Sequence, residues 1–280
     1  MPLACVTGSV LRKPHVPSTA ENLVQLQKVS LRYGTGAKST LAIDSIDMNI
    51  RRGEFVAVVG PSGCGKSTLM KIISGLAPIS DGVALVEGRE VAGPLKSVGM
   101  AFQASNLLPW RNTIDNVMLP LEVVEPHKHR IGRHRDEYEK KIEALLQRVG
   151  LSGFGKKFPW ELSGGMQQRT SICRALIHEP EILLLDEPFG ALDAFTREDL
   201  WCTLRDLHAE RGVTVLLVTH DLREATFLAD TVYVFSSRPG RIVLRYEVDL
   251  PRPRDLKLTY SPAFSEIVQM LRSHIHHQKD

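Results

Sequence analysis

The sequence is poor in cysteine. Its four thiols are Cys5, Cys64, Cys173 and Cys202, and no two of them stand as C-x-x-C. Neither a zinc site nor a disulfide framework is indicated, and a reducing cytoplasm fits. Long apolar runs are missing too: Phe55 to Val59 and Val215 to Val218 fall far short of the roughly 18 residues that a membrane helix needs. Leu3-Ala4-Cys5 follows neither a basic segment nor an apolar one, so it is not read as a lipoprotein processing site. The excess of charge is small, 35 Lys and Arg against 32 Asp and Glu for a net +3, and it is dispersed, so no nucleic-acid partner is expected. No internal repeat is visible. What remains is a globular composition, 43% hydrophobic and 24% charged, in 280 residues. At about 150 residues per domain this is one large domain or two average ones.

Residues 1–20 hold three prolines and little periodicity, which predicts an N-terminal tail with the fold starting near Leu23. Ile46, Met48 and Ile50 alternate with polar residues, then Phe55 to Val59 reads as a fully buried strand. A short helix from Lys66 to Ser74 follows, stopped by Gly75. Val83 to Glu87 and Val98 to Phe102 are further strands. Between about 104 and 160 the pattern turns helical: Ile142, Leu145, Leu146 and Val149 recur at helical spacing behind a charged run that reads as a solvated face. Beyond it, helices at Gly164 to His178, Ala194 to Arg211 and Asp221 to Ala229 alternate with strands at Ile182 to Leu185, Val213 to Val218 and Thr231 to Phe235. Alternation of this kind predicts an α/β fold with a mostly parallel sheet and crossover helices. Ile242 to Val248 gives one more strand. Residues 247–280 form an extension ending in a helix opened by Ser261-Pro262 with Ile267, Met270 and Leu271 on one side. Its His274, His276 and His277 read as a solvated terminus.

The chemistry begins at Gly60-Pro61-Ser62-Gly63-Cys64-Gly65-Lys66-Ser67-Thr68, which satisfies G-x-x-x-x-G-K-[ST] between a buried strand and a helix. The glycines let the backbone wrap a phosphate so that successive N–H groups point at it, Lys66 adds charge for the β and γ phosphates, and Ser67 offers a hydroxyl to Mg²⁺. Ile182 to Asp186-Glu187 is a buried strand ending in two acids, on the sheet edge where ligands of such folds sit. Beside a phosphate loop, Asp186 would hold Mg²⁺ through water and Glu187 would polarise the attacking water, the bland reading of either acid being a helix N-cap. His220, after the strand ending at Thr219, emerges on the same edge. Gln103, at the start of the helical insertion, could reach the metal ion or the water. Leu162-Ser163-Gly164-Gly165-Met166-Gln167 opens a helix with a serine and two glycines. Ser163 is either an ordinary N-cap or part of a second anion-binding helix end, and a second phosphate cradle suggests a site completed by another copy of the chain. Cys64, among phosphate-loop amides beside Lys66, is expected to have a lowered pKa.

Taken in order, Tyr33, the phosphate loop, Gln103, Leu162 to Gln167, Ile182 to Glu187, Ala191-Leu192-Asp193 and His220 resemble the nucleotide-binding subunit of ABC transporters over about Leu23 to Tyr246. Phe102-Gln103, Leu107-Leu108-Pro109-Trp110, Asn116-Val117 and Ser236 to Gly240 are most similar to the nitrate, sulfonate and taurine importers. The resemblance implies a P-loop NTPase core at 21–246 with an antiparallel β subdomain and a helical insertion. It further implies that two subunits, of this chain or a homologue, sandwich two ATP molecules. Each would lie between one chain's phosphate loop and the other's Ser163, Gly164 and Gly165, with Tyr33 stacked on adenine, unless it is only a strand-end aromatic, and Asp193 at the seam. His220 would contact the γ-phosphate, and Gln103 would link the site to the membrane partner. Met166 departs from the glutamine usual in the family's signature, which leaves the backbone donors of Gly164 and Gly165 intact.

A motor without membrane spans requires separate integral membrane permease subunits and, for import, an extracytoplasmic solute-binding protein, which places it on the cytoplasmic face of the membrane. The competing readings are a non-transport ATPase of the same superfamily acting on DNA or the ribosome, and an exporter or membrane-remodelling subunit. A catalytically silent scaffold is disfavoured because Lys66, Asp186, Glu187 and His220 are all present.

Overall fold

The structure is a computed structural model that describes residues 22–34, 36, 39–190 and 192–276. The expected tail at 1–20 with Cys5, Ala191 of the Ala191-Leu192-Asp193 motif, His277, and the side chain of His276 lie outside the described residues.

Two sheets organise the chain. The first is antiparallel, in the order β2-β1-β4-β5, from β1 (Asn22–Tyr33), β2 (Thr40–Arg51), β4 (Asp81–Val86) and the two-residue β5 (Arg89–Glu90). The second has six strands in the order β10-β9-β3-β8-β7-β6, built from β3 (Phe55–Val59), β6 (Val98–Ala101), β7 (Ile182–Asp186), β8 (Thr214–Thr219), β9 (Thr231–Phe235) and β10 (Ile242–Glu247). Its pairs are parallel except β10 on β9. Strands buried on both faces need two apolar layers, and the period of two supplies them. Val56, Val58, Leu184, Leu216 and Val218 turn to the antiparallel sheet, packing with α1 (Lys66–Ile73). Phe55, Ala57, Val59, Leu183, Leu185, Val215 and Leu217 turn to the helices of the opposite layer.

Those helices are α2 (Thr113–Met118), α3 (His127–Arg130) and α4 (Arg135–Arg148) in the segment expected to be helical, then α5 (Gly164–Leu176), α6 (Ala194–Arg211), α7 (Leu222–Leu228) and α8 (Pro262–His276). Ile142, Leu145 and Leu146 bury one face of α4, while its charged residues stay on the solvent side. Asp193 caps α6 by accepting from Thr196 N at 3.0 Å, and Gly212, at φ +63°, ends it.

Element ends differ from expectation by one or two residues. The expected strand at Val83 to Glu87 begins at Asp81 and stops at Val86, because Glu87 and Gly88 both take positive φ in the turn to β5. α5 ends at Leu176 rather than His178, ahead of Pro180, which cannot continue a helix.

Residues 248–276 pack onto the same core through Val248, Leu250, Phe264, Ile267 and Leu271. Arg254 anchors this segment. Its guanidinium is buried and, among the described residues, has no carboxylate within salt-bridge distance; Nη1 donates to the carbonyls of Thr226, Phe227 and Ala229, and Nη2 to that of Val248. The first three belong to the end of α7, whose last carbonyls lack intrahelical partners, so the cation satisfies orphan acceptors where the helix dipole favours positive charge. Arg254→Ala should cost on the order of 3 kcal/mol. A thermal melt that left Tm unchanged would show that water replaces the guanidinium without loss.

Candidate functional site: a phosphate loop at the strand ends

The site is set by the end of β3. Beyond Val59 the chain turns at Gly60 into a loop in which space requires glycine at positions 60 and 65. Gly65 sits at φ +102°, and a Cβ there would lie 2.8 Å from Ala42 O. Lys66, 5% exposed, folds back over the loop and donates from Nζ to Gly60 O at 2.8 Å and Pro61 O at 2.9 Å. Gly65 offers no side-chain cap to α1, which leaves the first N–H groups of that helix available to an anion. Ser62, Gly63, Gly65, Lys66, Ser67 and Thr68 line one side of a cavity of about 560 Å³. Tyr33, Thr40, Ala42, Gln103, Glu187 and Arg238 line the rest. Tyr33 is half exposed, with its hydroxyl 3.4 Å from Thr68 Oγ1.

Parallel register delivers the acids. β7 ends at Asp186, whose Oδ1 accepts from Ser67 Oγ at 3.2 Å. Burial pushes the Asp186 carboxyl above its ordinary pKa, the Ser67 hydrogen bond opposes this, and neighbouring Glu187 adds to the rise. Glu187 takes φ +45°, a conformation that costs a non-glycine residue of order 1–3 kcal/mol. Its N–H donates to Val218 O at 2.8 Å, which fixes the turn. Its Oε2 meets two polar groups: Gln103 Nε2 at 3.5 Å and His220 Nδ1 at 3.3 Å.

The phosphate loop, Gln103, Asp186, Glu187 and His220 are therefore together. Ser163, Gly164, Gly165 and Asp193 do not line the cavity. Ser163 caps α5, accepting from Met166 N at 3.3 Å. A Cβ on Gly165 would sit 3.2 Å from Leu192 and Thr196, so the start of α5 and the Asp193 loop lie against each other. Hydrogen bonds from Thr196 hold the Asp193 carboxyl below its usual range.

The expectation for Cys64 is corrected. The thiol is buried, 1% exposed, and burial pushes its pKa up despite the Lys66 ammonium nearby. The loop turns this side chain into the core, where burial outweighs the Lys66 ammonium and the nearby loop amides.

Sequence reasoning missed Arg238, which lines the cavity with Nε 3.3 Å from Gly63 O. Its position two residues beyond Ser236, after a strand adjacent to β3, was the available signal. It also missed Glu224, 3% exposed, which accepts from Thr219 Oγ1 behind His220. Burial, above all, drives the Glu224 carboxyl up to about 8; Asp221 and Glu187 add to this, while Thr219 and Arg197 oppose it.

With this geometry in view, a family model described as ABC transporter matches residues 43–190. The chain belongs to the ABC transporter family. Similar ABC proteins include the aliphatic sulfonates import ATP-binding protein of Bacillus licheniformis, 44% identical over 85% of this chain and 88% of that protein. The taurine import ATP-binding protein of Rhizobium johnstonii is 41% identical over 89% of this chain and 93% of its own length. Among solved structures, a dimeric bacterial ABC transporter cassette superposes with a TM-score of 0.70 at 31% identity, over 81% of this chain and all of that one. A dimeric cassette in a post-hydrolysis state, bound to ADP and Pi, superposes with a TM-score of 0.68 at 30% identity, with the same coverage. As in those cassettes, the fold is that of an α/β ABC ATPase, and it binds ATP. Among the described residues no helix is long and apolar enough to cross a membrane.

Glu224 gives this site a pH signature. Its folded pKa lies above the carboxylate's unfolded value, so the native state holds one proton more between about pH 4.5 and 8, and stability is lost as pH rises through that window. Glu224→Gln cannot ionise. Its Tm relative to the wild type should therefore climb between pH 5 and pH 8; a constant difference would place the Glu224 pKa at an ordinary value.

Proposed function

We propose that this chain is the ATP-hydrolysing motor of an ABC import system for a small anionic solute, of the class of nitrate, a sulfonate or taurine. The observation that carries the proposal is Glu187, held by Gln103 and His220 at the rim of the cavity that the phosphate loop lines. The solute class is supported by relatives named for aliphatic sulfonate and taurine import. Nothing favours action on DNA or the ribosome.

In this reading the amides of Gly63 to Ser67 and the Lys66 ammonium grip the β and γ phosphates. Lys66 has the carbonyls of Gly60 and Pro61 and a long contact to Cys64 Sγ to exchange for phosphate oxygens. Tyr33 faces the adenine end. Ser67 and Asp186, 3.2 Å apart, present hard oxygen donors, and Gln103 is the further amide within reach. Among the described residues no cluster of three or more His, Cys, Asp or Glu converges on one point. That suits Mg²⁺, which takes one or two protein oxygens and completes its shell with water and phosphate. When bound, Mg²⁺ neutralises charge that develops on the phosphates. Glu187 accepts a proton from the water that attacks the γ-phosphorus as the bond to the β–γ bridging oxygen breaks. His220 holds the Glu187 carboxylate and reaches the γ-phosphate.

Ser163, Gly164 and Gly165 lie outside this cavity, so they serve the nucleotide of a second subunit, and Asp193 sits at the seam between the two. Each closed dimer thus holds two ATP molecules, and ATP drives closure by binding the closed state more tightly than the open one. Integral membrane permease subunits receive the motion through Gln103 and the helical insertion, and an extracytoplasmic solute-binding protein delivers the solute to them. The motor itself is peripheral, on the cytoplasmic face. Residues 21–246 form the ATPase unit in this reading, and 247–280 an extension to it.

Glu187→Gln should lower steady-state hydrolysis by roughly 10²- to 10⁴-fold with ATP binding retained. Turnover at the wild-type rate would remove Glu187 from the role of base. Capture of the subunit from detergent-solubilised native membranes in MgATP should retain a multi-span permease; ribosomal or DNA-bound proteins in its place would contradict the import reading.

A further inference from the structure

We infer that Arg197 is a positioning residue for hydrolysis, tying the loop that carries Asp193 to the loop that carries His220 within one protomer. The inference rests on the reading of the cavity as an ATPase site.

Arg197 stands four residues after the N-cap Asp193, to whose carbonyl its own N–H donates at 3.0 Å. A cation so near the positive end of a helix is disfavoured by the helix dipole, and the Leu192 carbonyl and the Asp221 carboxylate offset this here. Arg197 Nη2 donates to Leu192 O at 3.1 Å, Nη1 lies 3.5 Å from Asp221 Oδ2, and Nε lies 3.9 Å from Glu224 Oε1. One guanidinium therefore spans two segments distant in sequence.

The second segment encloses His220. Thr219 precedes it, donating from Oγ1 to Glu224 Oε2 at 2.5 Å and accepting from Asp221 N at 3.0 Å. Asp221 follows it and caps α7 by accepting from Arg223 N at 2.7 Å. His220 is thus suspended between two residues of one polar cluster, and its ring meets Glu187. A shift of the Asp193 loop is passed by Arg197 to both flanks of His220.

The cluster is also incomplete. Arg197 Nε is buried and has no hydrogen-bond partner, since 3.9 Å to Glu224 is too long for one. An orphaned buried donor is costly, and a movement of α6 toward α7 of about 1 Å would satisfy it. Two arrangements of the same contacts, one open and one closed, are what a coupling element needs. The charged and titratable groups facing Glu224 are Arg197 on α6, Asp221 before α7 and Glu187 after β7, with Thr219 as its hydrogen-bond donor. While Glu224 keeps its proton, its pull on Arg197 is weak and Asp221 holds the guanidinium.

The test is steady-state ATP hydrolysis by the full chain. None of the Arg197 contacts reaches the nucleotide cavity, so Arg197→Ala should lower kcat roughly 10- to 100-fold while KM for MgATP stays within about threefold. Combined with Asp193→Ala, it should slow the enzyme no further than the slower single variant, because both act through one loop. Arg197→Lys, whose single ammonium cannot span both the Leu192 carbonyl and the Asp221 carboxylate, should recover only part of kcat. If Arg197→Ala fails to fold, Glu224→Gln carries the test: it should flatten the wild-type change in kcat between pH 7 and pH 9. A folded Arg197→Ala with unchanged kcat, independent multiplying effects of Arg197 and Asp193, or a wild-type pH profile in Glu224→Gln would each overturn the inference. Failure of the wild type itself to hydrolyse MgATP would instead overturn the function proposed for the site.

Discussion

The parallel register of β3, β8 and β7 is the constraint on which everything else depends. Val59 pairs with Thr219, and Asp186 with Val218, so three strands stop within a residue of each other on one edge. The next residues along the chain are Gly60, His220 and Glu187. Residues far apart in sequence are thereby brought to one edge, where His220 and Glu187 meet side chain to side chain. The strands hold that register because both of their faces are buried, and a slip of one residue would carry every side chain to the wrong layer.

Upon this edge the chain places its strain. Glu187 adopts a positive φ where a glycine would be relaxed, and it is kept there by its N–H on Val218 O and by two groups at its carboxylate. Strain of this kind persists only when the surroundings over-determine it. Here the surroundings are the strand register, the helical segment that starts at Gln103, and the His220 loop. The same segment is tied onward to α5: Gln168 Nε2 donates to Phe102 O, and the Arg174 guanidinium to the carbonyls of Ser105 and Asn106. Cavity and α5 are thus mechanically joined within the chain although they do not share a surface.

Much of this was legible in the sequence, for identifiable reasons. Phe55 to Val59 and Ile182 to Leu185 are too uniformly apolar for half-exposed strands and too short for most helices, and the glycine spacing after the first of them matches a phosphate loop. Gly75 marked the end of α1 by a steric rule that tertiary context rarely overrides. The illegible parts are those where a side chain's direction decides. Cys64 could as well have faced the amides as the core, and only the packing of the loop on Phe235 and Gly240 chooses the core. Arg238, Arg197 and Glu224 are ordinary charged residues in sequence. They acquire meaning from neighbours outside their own elements, such as Gly63, Asp221 and Thr219, that no local pattern names. The antiparallel pairing of β1 with β4 was hidden for a related reason, since β-bulges interrupt its alternation.

The central claim is that one chain supplies half of each site: a phosphate loop with its base, and a signature helix end for the other copy's nucleotide. Sedimentation of the Glu187→Gln chain with and without MgATP, alone and combined with Gly164→Asp, tests it most directly. The account predicts a monomer that becomes a dimer with MgATP, and a Gly164→Asp combination that binds ATP yet stays monomeric. ATP-driven dimers that form equally well with Gly164→Asp would contradict it.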